Sequence, residues 1–217
     1  MRPLSLVGLV TVLVLAGCGG GGGGTTSTTQ ATTDANGCVV MKAPASAARS
    51  GKAPTTILDA TKTYDVVIRT NCGSFTIRLD PKQSPHAVAS FVALAKAGYF
   101  DNTVFHRIVP GFVIQGGDPT ATGTSGPGYT TVDTPPSTAS YAHGVVAMAK
   151  TSTQARGTAG SQFFVVTAKD AGLPPDYAII GTVTKGLGVV DRIGKLGDAS
   201  EQPTEVVEIE QASVNIS

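Results

Sequence analysis

Alternation of apolar and polar positions marks two strands near residues 64–80. Residues 64–70 (YDVVIRT) read as a strand, and in 74–80 (SFTIRLD) Phe75, Ile77 and Leu79 alternate with polar neighbours. A period of two sends successive side chains to opposite faces of a sheet. Asn71-Cys72-Gly73 between them reads as a hairpin with a glycine-containing turn. The period then changes: Val88, Phe91, Val92 and Ala95 recur at helical spacing. Ser84 before Pro85 supplies an N-cap and a first-turn proline, and Gly98 a C-terminal stop, so a helix is expected over 85–97. Further strand patterns lie at 104–109, 111–116, 144–149, 162–167, 178–184 and 204–214, with a short helix at 187–194. Many short strands with Gly/Pro turns predict a mainly β fold, a sandwich or a closed barrel. Residues 118–143 are Gly-, Thr- and Pro-rich without strong periodicity, a long loop of the kind that often carries function.

The first 62 residues follow another pattern. Arg2 precedes an almost unbroken run of Leu, Val and Gly from Leu4 to Leu15, and then comes Leu15-Ala16-Gly17-Cys18. An apolar run of about 12 is too short to span a bilayer, which takes about 20 helical residues, but fits a signal h-region. The segment resembles a bacterial lipoprotein signal, which implies cleavage before Cys18 and lipidation of its sulfur. Residues 1–17 are thus expected to be a signal peptide. Residues 18–35 then form a flexible Gly/Thr tether: Gly19 to Gly24 is six glycines, and 25–33 holds six Thr. Such a stretch has too little apolar surface to offset its ordering entropy. Residues 36–62 are an extension without clear periodicity, and 63–217 the globular domain.

Composition sharpens this division. Of 27 glycines among 217 residues, eight fall in the first 24 positions, so the rest of the chain has ordinary glycine usage. Without Arg2 the basic and acidic residues balance at 15 each, which argues against a nucleic-acid partner. Three Cys and three His, with no metal-site spacing among them, give no reason to expect a metal. With Cys18 consumed by lipid in an oxidising compartment, Cys38 and Cys72 remain as a pair, and a disulfide is expected to clip the extension to the domain. A loop of that length contributes on the order of 3 kcal/mol in the chain-entropy picture.

The sequence lacks the common hydrolytic arrangements. There is no G-x-S-x-G elbow, and no acids cluster in sequence beside His86, His106 or His143. His86 is expected on the exposed helix face, His143 in a loop and His106 in a structural role. Aromatic, Arg and Gln residues concentrate in two blocks, 105–118 (FHRIVPGFVIQGGD) and 160–166 (GSQFFVV). With a reversal at Pro110-Gly111, alternation pairs Phe105 with Arg107, and Val113 with Gln115, on shared faces. Phe163 and Phe164 must face opposite sides, one of them into the core.

These blocks resemble the F-H-R-x-x-P-G-F-x-x-Q-G-G-D and G-S-Q-F-F signatures of cyclophilin-type peptidyl-prolyl cis-trans isomerases. The 144–149 strand (GVVAMA) and the 180–183 segment (IGTV) match in order, and the resemblance covers about residues 63–214. It implies a closed antiparallel eight-stranded barrel capped by two helices, with the active groove on the outer wall. It implies Arg107 as the catalytic arginine and Phe112, Val113, Gln115, Ala149, Phe164, Leu173 and Tyr177 as substrate-binding residues. Val113 takes a position often held by Met, and Tyr177 one often held by His. Gly172 falls where some members carry Trp, which should weaken cyclosporin binding.

The implied reaction is rotation about X-Pro bonds, with neither cofactor nor metal. Proline-containing polypeptides are the expected partners of a monomer that acts in exported proteins. It would sit on the outer side of the cell membrane, held by lipid at Cys18. The competing expectation is a non-catalytic Pro-peptide-binding chaperone at the envelope, which loss of the arginine would have favoured.

Overall fold

The computed structural model describes residues 32–217, so the expected signal peptide, Cys18 and most of the expected tether lie outside the described residues. The element order is β1 (Tyr64–Thr70), β2 (Gly73–Leu79), α1 (Pro85–Lys96), β3 (Thr103–Val104), β4 (Arg107–Val109), β5 (Val113–Gly116), β6 (Thr131–Val132), β7 (Val145–Met148), β8 (Thr158–Ala159), β9 (Phe163–Val166), β10 (Ile179–Lys185), α2 (Leu187–Ile193) and β11 (Glu208–Ile216). Among the described residues no helix is long and apolar enough to cross a membrane.

Nine strands form one antiparallel sheet in the order β3-β11-β1-β2-β10-β7-β9-β5-β4, and β6 pairs separately with β8. This corrects the expected closed eight-stranded barrel: the sheet is an open half-barrel, since no ladder joins its edge strands β3 and β4. Those edges are consecutive in sequence, and the expected strand over 104–109 is broken between them at Phe105-His106. Instead of continuing a ladder, Phe105 donates its N–H to Val207 O (2.9 Å) and Ile108 donates to Glu201 O (3.1 Å).

Register separates two faces. On β4, β5, β9 and β7, Ile108, Ile114, Val165 and Val146 are cross-strand partners and line the inner core. The inner core is aromatic: Phe163 lies 5.2 Å from Phe91 and 6.0 Å from Phe105, centroid to centroid, both edge-on. Such pairs add about 0.5–1.5 kcal/mol beyond their area burial. The break at Phe105-His106 also overturns the expectation that Phe105 and Arg107 share a face. Phe105 is fully buried in the inner core, while Arg107 points outward.

Helix α1 buries Val88, Phe91, Val92 and Ala95, as its spacing requires. It also buries Ser90 and Leu94, because residues far away in sequence cover a second side: Ser90 Oγ bonds Tyr129 Oη (2.9 Å), and Gly51 packs on Leu94. Its N-terminus corrects another expectation. Ser84 Oγ donates to Ile179 O (2.7 Å) and caps nothing. Asp133 does the capping, accepting from Ala87 N (2.6 Å) and His86 Nδ1 (2.8 Å).

The extension lies along this body. Cys38 and Cys72 are disulfide-bonded and buried. Arg49 donates through Nη1 to the carbonyls of Tyr99 (2.8 Å) and Asp101 (2.7 Å), just past α1.

Candidate active site

The site grows from the same register, read on the opposite face. Arg107 pairs with Gln115, Gln115 with Phe164, Phe164 with Ala147, and Ala147 with Ile179. Cross-strand partners project to one side, so these residues form a rank across five strands on the outer wall. Beside it Val113 pairs with both Val109 and Val166. The tight Pro110-Gly111 reversal between β4 and β5 rests on Gly111, whose φ is +69°.

The apolar half of this face is a second hydrophobic cluster, separate from the inner core. Val113, Tyr141, Ala147, Phe164, Val166 and Ile179 are buried in it, with Phe112, Ala149, Leu173 and Tyr177 half-buried around them. The fold therefore brings together all six apolar residues that the resemblance implied: Phe112, Val113, Ala149, Phe164, Leu173 and Tyr177. Phe164 and Phe163 do face opposite ways. The rings of Tyr141, Phe164 and Tyr177 form a wall, with Tyr177 edge-on to Phe164 at 5.5 Å and to Tyr141 at 5.9 Å. Tyr141 is the residue that sequence reasoning missed here. Its hydroxyl donates to Tyr177 O (2.8 Å) and accepts from Tyr177 N (2.9 Å), which fixes the rim. Burial pushes that hydroxyl's pKa up.

The polar half is a directed chain. Arg107 donates through Nε to Glu201 Oε2 (2.6 Å) and through Nη1 to Gln115 Oε1 (3.3 Å). Gln115 Nε2 donates to Gln162 Oε1 (3.0 Å), and Gln162 Nε2 donates to Ser125 O (3.0 Å). Each amide both accepts and donates, so the chain is polarised in one sense. Gln162 could have been read from the sequence, since it lies two residues before Phe164 on the same face. Glu201 left no local signal, being 94 residues from Arg107.

A cleft of about 700 Å³ adjoins this chain, lined by Gln115, Ala149, Lys150, Gln162 and the 123–130 loop. Asp118, fully buried, organises that loop by accepting from Thr120 N (2.7 Å), Thr120 Oγ1 (2.7 Å) and Ser125 N (3.1 Å). Burial alone would raise its pKa, but these bonds outweigh burial and lower it. Gly117 just before it has φ +87°, and a Cβ there would sit 2.4 Å from Ser161 O, so the G-G-D and G-S-Q blocks pack too closely for any side chain.

Two of the three histidines do have acidic partners, both distant in sequence. His86 pairs with Asp133, and His143 Nε2 with Asp191 at 2.7 Å. Among the described residues Asp34, Cys38 and Glu205 gather potential metal-ligand atoms within 4.8 Å of one another, but the sulfur is committed to the disulfide.

An apolar pocket beside an arginine–glutamine chain, on the outer wall of a half-barrel with two helices, defines a cyclophilin-like protein. The family model described as "Cyclophilin type peptidyl-prolyl cis-trans isomerase/CLD" matches residues 65–214. A Neurospora crassa protein named peptidyl-prolyl cis-trans isomerase-like 1 is 38% identical over 155 residues, covering 69% of this chain and 93% of the relative. A Helicobacter pylori peptidyl-prolyl cis-trans isomerase is 36% identical over 159 residues, covering 67% and 95%. A cyclophilin-type isomerase of Cryptosporidium parvum, crystallised in the presence of the dipeptide Ala-Pro, superposes with a TM-score of 0.64. It is 33% identical, and the match covers 70% of this chain and 98% of that one. The chain belongs to the cyclophilin-type peptidyl-prolyl cis-trans isomerase family and is an enzyme of that activity.

Proposed function

We propose that Arg107 accelerates X-Pro rotation by donating to the prolyl nitrogen as its lone pair leaves conjugation. Resonance sets a barrier of about 18–20 kcal/mol. Lowering it needs no proton transfer, only tighter binding of the twisted imide than of either planar state. Phe112, Val113, Phe164 and Leu173 grip the proline ring while the preceding carbonyl swings. Ala149 and Tyr177 border the groove, and Gln115 holds the substrate backbone through its free lone pair and N–H. The observation that carries this reading is the rank in which Arg107 and Gln115 adjoin Phe164 on one face of the sheet. The Ala-Pro dipeptide used with the Cryptosporidium parvum relative supports proline-containing polypeptides as the ligand class. The test is Arg107→Ala in the full-length chain. Thermal unfolding should stay close to wild type, and exchange of a short X-Pro peptide by two-dimensional NMR should slow at least tenfold, about 1.4 kcal/mol of transition-state binding. Unchanged exchange would defeat the assignment.

We further propose that the enzyme acts on exported proteins from a lipid anchor at Cys18 on the outer side of the cell membrane. Leu15-Ala16-Gly17-Cys18 and the Gly/Thr tether support this, and a Cys38–Cys72 disulfide fits an oxidising compartment. Cys18→Ser should abolish metabolic labelling by a fatty-acid analogue, and persistent labelling would count against the anchor.

A further inference from the structure

We infer that Glu201 is a positioning residue for Arg107: it holds the guanidinium by its Nε edge, so that Nη2 and the second Nη1 N–H remain turned to the substrate. The inference rests on the reading of Arg107 as the catalytic group. An arginine on a sheet surface has four rotatable bonds and about 2 kcal/mol of rotamer entropy to lose, which corresponds to roughly thirtyfold in rate if it is lost only on reaching the transition state. Arg107 is about one-third exposed, and packing alone does not hold it. Two acceptors do, from opposite ends: Glu201 Oε2 on Nε at 2.6 Å, and Gln115 Oε1 on Nη1 at 3.3 Å. The Gln115 end is itself anchored through Gln162 to Ser125 O.

The Glu201 end is built with the same care. Glu201 has φ +64°, a left-handed conformation that costs a non-glycine residue about 1–2 kcal/mol, here about a tenfold bias against the turn. Such outliers persist where the surroundings over-determine them, and they gather at functional sites. The surroundings here are explicit. Asp198 Oδ1 accepts from Ser200 N (2.8 Å) and Gln202 N (2.9 Å), and Asp198 N donates to Gln202 O (2.9 Å). The turn is docked on β4 itself. Ile108 N donates to Glu201 O at 3.1 Å, and Gly197 lies so close to Ile108 that a Cβ would meet its carbonyl oxygen at 2.1 Å. The strand that carries Arg107 thus also carries the turn that presents Glu201, and the two move together.

The experiment is a double-mutant cycle in the full-length chain, with kcat and KM resolved for a short X-Pro peptide. Glu201→Ala should lower kcat about three- to tenfold with KM little changed, because orientation matters most in the transition state. Glu201→Gln keeps an acceptor for Nε and should restore most of the loss. Glu201→Asn tolerates the left-handed backbone better than Glu but is one methylene too short, so it should fold at least as stably as wild type and still lose kcat. In an Arg107→Ala background the Glu201→Ala effect should vanish. The inference is overturned if Glu201→Asn, folded, keeps wild-type kcat, or if kcat rises, which would make the ion pair an inhibitory latch. It is equally overturned if the Glu201 effect persists without Arg107. If Arg107→Ala itself leaves exchange unchanged, the catalytic reading of Arg107 fails instead.

Discussion

His106 brings a titratable ring into a dry place beside β4. Both ring nitrogens are buried and have no hydrogen-bond partner among the described residues, and Gly123 of the 118–143 loop packs against the ring. Burial lowers the pKa of His106; Asp118 nearby opposes that shift and Arg107 reinforces it. Above about pH 6.5 both folded and unfolded chains carry a neutral ring, and below it the unfolded chain takes up a proton that the native ring resists. Native stability should therefore fall as pH drops through about 6.5 toward the lower native value. Urea midpoints at pH 7.5 and 5.5 check this, with His106→Asn as the control expected to show a smaller loss. An equal loss in the two proteins would remove His106 as the cause. The same residue shows what residue types alone reveal. F-H-R was legible as a motif, but the burial of its histidine depends on a loop whose pattern carried no periodic signal.

At the scale of elements, periodicity located almost every strand and both helices, because burial on one face leaves a repeat of two or 3.6 in the sequence. It failed where elements are too short to repeat. β6 and β8 have two residues each, and the expected strand over 104–109 breaks into β3 and β4. It also failed where a terminus is satisfied from afar. Ser84 has the residue type and position of an N-cap, yet Asp133, in the loop read as irregular, accepts the Ala87 N–H. A carboxylate there also meets the positive end of the helix dipole. Asp133→Ala should cost about 2 kcal/mol, seen as a lower urea midpoint, while Ser84→Ala should not act through the cap at all. An unaltered midpoint in Asp133→Ala would show that the bond contributes nothing net.

At the scale of the whole molecule, the half-barrel gives the sheet two apolar faces with different uses. The inner face is a core of edge-on and tilted aromatics. The outer face repeats the pattern on a smaller scale and stays partly open, with Phe112, Leu173 and Tyr177 half-buried around Phe164. An open face of this kind fits the proposed groove, which a substrate's proline ring would enter from solvent and leave again. What the sequence by itself determined is the set of parts: the positions of the longer strands and of both helices, the pairing of Cys38 with Cys72, the two faces of Phe163-Phe164, and the two signature blocks that meet on the outer face. Each of these follows from local period, residue chemistry or a contiguous signature. Only the tertiary structure decided that the sheet stays open between β3 and β4, that Asp133 caps α1, and that Glu201 holds Arg107. Hydrogen bonds and ion pairs between residues 46 or 94 positions apart are selected by how the chain closes on itself, and no local pattern encodes them.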